Sequence, residues 1–212
     1  MSLIKANAVQ IGQSPTATQN FTLAVPSAPD GTIKLARGNA GATTQDVLSV
    51  DASGNVNGLV KSTGSTTSRS LSNRFADVVN VKDFGAVGDG VADDTAAIQA
   101  AFNFIHNGGT LNKIRSVYIP PGQYCHTGLL LPTTIGFCLF GEGTSSVLVQ
   151  KGGAIKYRTV NPYCFDSHST IRDLTFDGTN GTGNTLELQY VQTIDVENVY
   201  FWNVPENYSS LF

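Results

Sequence analysis

Two eight-residue stretches of the chain, IRDLTFDG (Ile171 to Gly178) and VENVYFWN (Val196 to Asn203), carry one pattern of large and polar side chains twenty-five residues apart. Ile171 aligns with Val196, Leu174 with Val199 and Phe176 with Phe201. A pattern that returns after about 25 residues, with polar turns between its copies, suits one coil of a parallel β-solenoid, where each coil buries its apolar side against the next. Equivalent residues then stack one strand spacing apart, roughly 4.8 Å. The alignment also sets Arg172 against Glu197 on outward positions, a pairing of exposed charges worth at most about 1 kcal/mol. By the same logic Cys138 and Cys164, twenty-six residues apart, fit a stacked interior position. The segments VYIPPGQY and IGFCLFGEG resemble an earlier coil in texture only.

Upstream, the chain reads differently. Residues 1 to about 60 hold little large apolar material, and Phe21 to Val25, Thr32 to Leu35 and Val47 to Val50 read as short strands. The turn signals PSAPDG, RGNAGATTQD and DASGN separate them, with Asp30-Gly31 suited to a positive-φ turn. Such a module gains its core from neighbouring copies or a docking partner. KSTGSTTSRS (residues 61–70) reads as a linker. In LSNRFADVVNV the residues Leu71, Phe75 and Val78 recur at helical spacing, with Ser70 as cap, and predict a neck helix whose apolar stripe must be covered.

The stretch VKDFGAVGDGVADDT (Val81 to Thr95) packs aspartates and glycines closely enough to raise phosphate and metal chemistry. Its glycines do not form G-x-G-x-x-G, and no Gly-Lys-Ser/Thr follows. Val91 interrupts the alternation an EF-hand requires, although calcium on some of Asp83, Asp89, Asp93 and Asp94 stays open. The stretch reads best as turns followed by a helix over Ala97, Ile98, Ala101, Phe102 and Ile105, capped by Asp93 or Asp94 and stopped at Asn107-Gly108-Gly109. Three cysteines without a C-x-x-C spacing read as thiols made in a reducing cytosol. A net charge of −3 supplies no field for nucleic acid, and no segment has membrane-spanning length or the h-region of an export signal.

NVKDFGAVGDGVADDTAAIQAAF, followed by VYIPPGQY and LFGEG, resembles the start of the pectate-lyase-like right-handed β-helix domain. With RSLSNRFADVV and the strand-poor leader in front, the chain looks more narrowly like a bacteriophage tailspike. The resemblance implies a mainly β chain in three parts. A virion-attachment module covers residues 1–60, a linker and neck helix residues 61–80, and the cap helix with the first coils of the β-helix residues 81–212. It also implies a homotrimer bound to a tail or adaptor protein through residues 1–60. Such a spike is made in the host bacterial cytoplasm and carried on the virion, where it binds and often cleaves capsule or O-antigen polysaccharide. The abrupt end FWNVPENYSSLF leaves an uncapped solenoid edge, so further coils or other chains are expected beyond it.

No cluster compels an active site, and no metal or other cofactor is expected. Hydrolysis of a polysaccharide needs two carboxylates facing the sugar. Asp195 and Glu197, outward on one strand, are the candidates, against the plainer reading that they are solvated. Tyr190, Tyr200 and Trp202 are candidates for stacking on sugar rings, against ordinary packing. His106, His126 and His168 have no metal-binding spacing. The expected role is attachment and assembly. A working depolymerase site within the chain and a cellular pectinase-like enzyme are the alternatives.

Overall fold

The computed structural model describes residues 8–11, 15–16, 21–24, 33–39, 42–107, 116–133, 136–158, 168–189, 191 and 193–204. The chain divides into two compact units, Met1–Phe75 and Ala76–Phe212.

The first unit is an antiparallel meander of six strands in sequence order. These are β1 (Ala8–Ile11), β2 (Phe21–Ala24), β3 (Ile33–Asn39), β4 (Ala42–Val50), β5 (Val56–Val60) and β6 (Arg69–Ser70). Opposite neighbours place Leu23 against Leu35 and Leu35 against Leu48, and Ile33 against Val50 and Val50 against Val56. That face is apolar, yet Leu23, Ile33, Leu48 and Val56 are 40–52% exposed. The stretch RGNAGATTQD, expected as a turn, is mostly strand, because β3 and β4 continue through it with two register shifts. DASGN is the turn expected: the Asp51 carboxylate accepts the N–H groups of Ser53 and Asn55. The turn expected at Asp30-Gly31 lies outside the described residues.

The linker ends earlier than expected, since Arg69 and Ser70 pair with Val60 and Leu59. Ser70 caps the next helix, α1 (Leu71–Phe75), by accepting the Asn73 N–H at 3.1 Å. The neck helix expected to run on past Val78 stops at Phe75. Val79 and Asn80 are drawn instead into the parallel sheet, so the spacing of Leu71, Phe75 and Val78 is not one helical stripe. Phe75 is 71% exposed, Val78 is also exposed and Leu71 is half-buried.

The second unit is the start of a parallel β-helix with three faces. The first face contains β7 (Val79–Asn80), β9 (Ser116–Tyr118), β12 (Cys138–Phe140) and the first halves of β15 (Ser169–Asp177) and β17 (Ile194–Trp202). The second face contains β8 (Asp89–Asp93), β10 (Gly122–His126), β13 (Ser146–Gln150) and the second halves of β15 and β17. The third contains β11 (Leu129–Leu130), β14 (Ile155–Arg158) and β16 (Leu186–Gln189). Asp173 and Asn198, both at positive φ, turn β15 and β17 from the first face to the second, a conformation that asparagine and aspartate tolerate better than most residues. The Asn198 amide donates to the Asp173 carboxylate across the rungs at 3.2 Å.

The inward side chains stack in columns. Val117, Leu139 and Ile171 do so on the first face, Tyr124, Leu148 and Phe176 on the second, and Leu129, Ile155 and Leu186 on the third, none more than 2% exposed. The register of Ile171 with Val196, Leu174 with Val199 and Phe176 with Phe201 is the one expected from sequence. Cys138 is a correction. Its rung neighbours are Ser116 and Thr170, and it faces outward beside the buried Leu139. Cys164 lies outside the described residues.

Helix α2 (Thr95–Asn107) closes the open end, burying Ile98, Ala101, Phe102 and Ile105. The opening motif supplies this cap, but not only as turns: its Asp89–Asp93 segment is itself strand β8, paired with β10. Asp94 starts the helix with its carbonyl, which accepts the Ile98 N–H. Its buried carboxylate turns back to accept the Val87 and Gly88 N–H groups at 2.6 and 3.2 Å. Gly88 has φ +72° and lies against the Tyr124 ring, where a side chain would collide at 2.7 Å.

Candidate functional site

A concavity of about 450 Å³ lies between helix α2 and the outer surface of the third face. The outward column of that face places Leu130 next to Lys156 and Lys156 next to Glu187. The Lys156 ammonium meets the Glu187 carboxylate at 3.2 Å. Leu130 stays 61% exposed, leaving an apolar patch beside that charged pair. The helix wall is held by Gln99, whose amide acts as a substitute strand. Its Oε1 accepts the Leu130 N–H at 2.8 Å, while its Nε2 donates to the Leu130 carbonyl at 3.0 Å and to Asn103 Oδ1 at 3.1 Å. A smaller recess next along the face is lined by Lys156, Tyr157, Glu187 and Gln189.

An apolar patch, a compensated ammonium and side-chain amides in one groove match the two sides of a sugar ring, its C–H face and its hydroxyls. Among the described lining residues Glu187 is the sole carboxylate, so the two facing carboxylates on which hydrolysis depends are not assembled there.

The residues singled out from sequence lie elsewhere. Asp195 and Glu197 both occur on the first face, where Asp195 binds exposed His168 at 2.6 Å. Glu197 sits on the rung beside Arg172, as expected. The guanidinium, however, turns to Asp173 and lies 5.1 Å above the Phe140 ring. Tyr200 and Trp202 are on the outer side of the second face, 47% and 42% exposed, flanking inward Phe201, which stacks on Phe176. Tyr190 and the His106 side chain lie outside what the structure describes. His126 is fully buried, and that burial pushes its imidazole down to about 4.

The aspartates of the opening motif are engaged with the backbone. Asp89 accepts the Val91 and Ala92 N–H groups at 2.8 Å, and these bonds hold its carboxyl below the usual range. Asp93 accepts the hydroxyl and the N–H of Thr95, with the same effect. Among the described residues no group of three potential metal ligands occurs, and no helix is long and apolar enough to cross a membrane. Sequence reading missed the third-face groove because Lys156 and Glu187 come from coils of unequal length. The only hint in the sequence was the isolated alternation in IKYR.

The comparisons with known proteins agree with this geometry. Residues 78–207 match the family described as rhamnogalacturonase A/epimerase, pectate lyase-like. Two proteins of Azotobacter vinelandii are similar in sequence: mannuronan C5-epimerase AlgE6, 36% identical over 51% of this chain, and alginate lyase 7, 53% identical over 59% of it. This chain spans 13% and 16% of their lengths. In fold, ORF18 of Geobacillus virus E2 is similar with a TM-score of 0.50 at 18% identity, over 84% of this chain and 34% of that one. The chain, through its β-helical unit, belongs to the rhamnogalacturonase A/epimerase family of pectate-lyase-like proteins.

Proposed function

We propose that this chain is the N-terminal region of a bacteriophage tailspike or tail fibre. The Met1–Phe75 unit docks to the tail or an adaptor protein, and three copies assemble. The β-helix begins the body that meets bacterial surface polysaccharide, with the third-face groove as part of its sugar-facing surface. The observation that carries this reading is the fold likeness to a phage protein. It covers 84% of the chain, more than the β-helical unit accounts for, and so reaches into the leader. The names of the sequence relatives, an epimerase of mannuronan and an alginate lyase, support a polysaccharide as the partner of the β-helical unit.

The test has two arms. Purified full chain should have three times the monomer mass in light scattering and should sediment with tails lacking their spike. A monomer that ignores such tails overturns the attachment reading. In the second arm, retention on immobilised alginate should fall in Lys156→Ala. Release of unsaturated uronates from alginate by the chain alone would favour the second reading, a complete polysaccharide-degrading enzyme.

A further inference from the structure

A second concavity, of about 340 Å³, lies at the bend between the first and second faces, away from the residues of the third-face groove. Its floor is a ladder built from successive rungs. The Tyr118 ring packs on Phe140 at 5.2 Å, and the Arg172 guanidinium covers the next side of Phe140. Its walls are two carboxylates, each already oriented. The Tyr118 hydroxyl donates to Glu142 Oε1 at 3.0 Å, while Arg172 and Asn198 both donate to Asp173.

The loop carrying Glu142 is pinned from below. Its N–H donates to Ser146 Oγ, and that hydroxyl donates to the Ile119 carbonyl. Gly141 is required there, because a side chain would come within 2.6 Å of Leu174 and Ser146. Burial and the adjacent carboxylate push the Tyr118 phenol up, so it remains a donor.

We infer that this bend pocket is a second saccharide subsite, selective for a neutral or amino hexose over a uronate. Oriented carboxylates accept paired sugar hydroxyls, and a planar guanidinium set over an aromatic ring offers a flat surface for the sugar. Two carboxylates against one guanidinium leave the pocket net negative, which repels a uronate and favours a hydroxyl or ammonium. In this it differs from the third-face groove, where one ammonium offsets one carboxylate. The inference rests on the reading of the β-helix as polysaccharide-facing.

The test is NMR titration of the full chain with galactose, glucosamine and glucuronate. Galactose or glucosamine should shift the Gly141 and Gly143 amides and the Arg172 side-chain N–H, with glucuronate at least about tenfold weaker at these signals. Glu142→Gln, nearly isosteric and with an otherwise unchanged spectrum, should weaken binding about tenfold through loss of a charge-assisted hydrogen bond. Lys156→Ala should leave it unchanged. Shifts confined to Lys156 and Glu187 overturn this subsite and keep the polysaccharide reading. Equal binding of glucuronate, or no shift at the bend with either of the other sugars, overturns the subsite. The alginate-retention arm above judges the broader reading separately.

Discussion

The two units of the chain treat the same kind of residue in opposite ways. In the β-helical unit Ile171, Leu148 and Phe176 are fully buried, because each coil stacks its apolar column on the next. In the leader, Leu23, Ile33, Leu48 and Val56 occupy one face of a sheet and stay substantially exposed. The difference is topological. A parallel coil curls round and supplies a facing layer from its own next strands, whereas among the described residues nothing is packed over the Leu23, Ile33, Leu48 and Val56 face of the meander, although Thr22 and Ala36 on its other face are buried. The β-helix therefore carries its own core, while Leu23, Ile33, Leu48 and Val56 form the open face that the proposed assembly would cover.

The sharpest way to break that contrast is a large-to-small substitution in the stacked core. Phe176→Ala removes a ring that packs on Phe201 at 5.4 Å and should cost about 3–5 kcal/mol, read as a lower midpoint in denaturant unfolding. A cost below about 1 kcal/mol would mean that the coils do not pack as a rigid column.

A second prediction uses acid. His126 is held neutral by burial, with its folded value pushed to about 4 from an ordinary 6.5, the Asp93 charge opposing the shift only in part. Above pH 6.5 both states are neutral and the residue adds no pH dependence. Between 6.5 and 4 the unfolded chain binds the proton and the folded chain does not, so stability falls with pH. It levels off below 4. At about 1.4 kcal/mol per pKa unit the loss is about 3 kcal/mol. His126→Leu should flatten that part of the stability–pH curve; an unchanged slope would assign it to other groups.

How much of this was legible in the sequence depends on coil length. The register of Ile171 on Val196 could be read because those two coils are equally long and need no gap. The step from Leu139 to Ile171 is thirty-two residues and that from Val117 to Leu139 is twenty-two, so no fixed period reveals them. The same irregularity produced the error at Cys138, whose true neighbour Thr170 lies beyond Cys164. The face of α2 was readable from its period alone. The neck helix was not, because the strand pairing of Val79 and Asn80 overrides a local spacing. Neither concavity was visible for a similar reason. Glu142 and Asp173 come to line one concavity, and Lys156 meets Glu187, only after coils of different length have stacked.

A smaller effect is expected at the capped edge. Gln99→Ala removes both bonds to Leu130 from an exposed amide that water partly replaces, so the cost should be about 1 kcal/mol. Hydrogen exchange of the Leu130 N–H is the more telling measurement. It should quicken in the variant while the Leu148 N–H, in a central strand, stays protected. Equal quickening at both would show that the helix holds the whole β-helix closed and not just this edge.

The smallest stability change should come from the leader. Leu48 is already 40% exposed, so Leu48→Ser in the single chain should alter unfolding by no more than about 0.5 kcal/mol. The same substitution bears on assembly differently. If copies of the chain cover this face, a hydroxyl at the β4 end of the Leu23, Leu35 and Leu48 column places a polar group in a dry seam, and the light-scattering mass should fall towards the monomer at a fixed concentration. A loss of several kcal/mol in the monomer would show that the leader has a buried core of its own and would erase the contrast with the β-helix. An unchanged mass beside unchanged stability would show that copies of the chain do not cover this face.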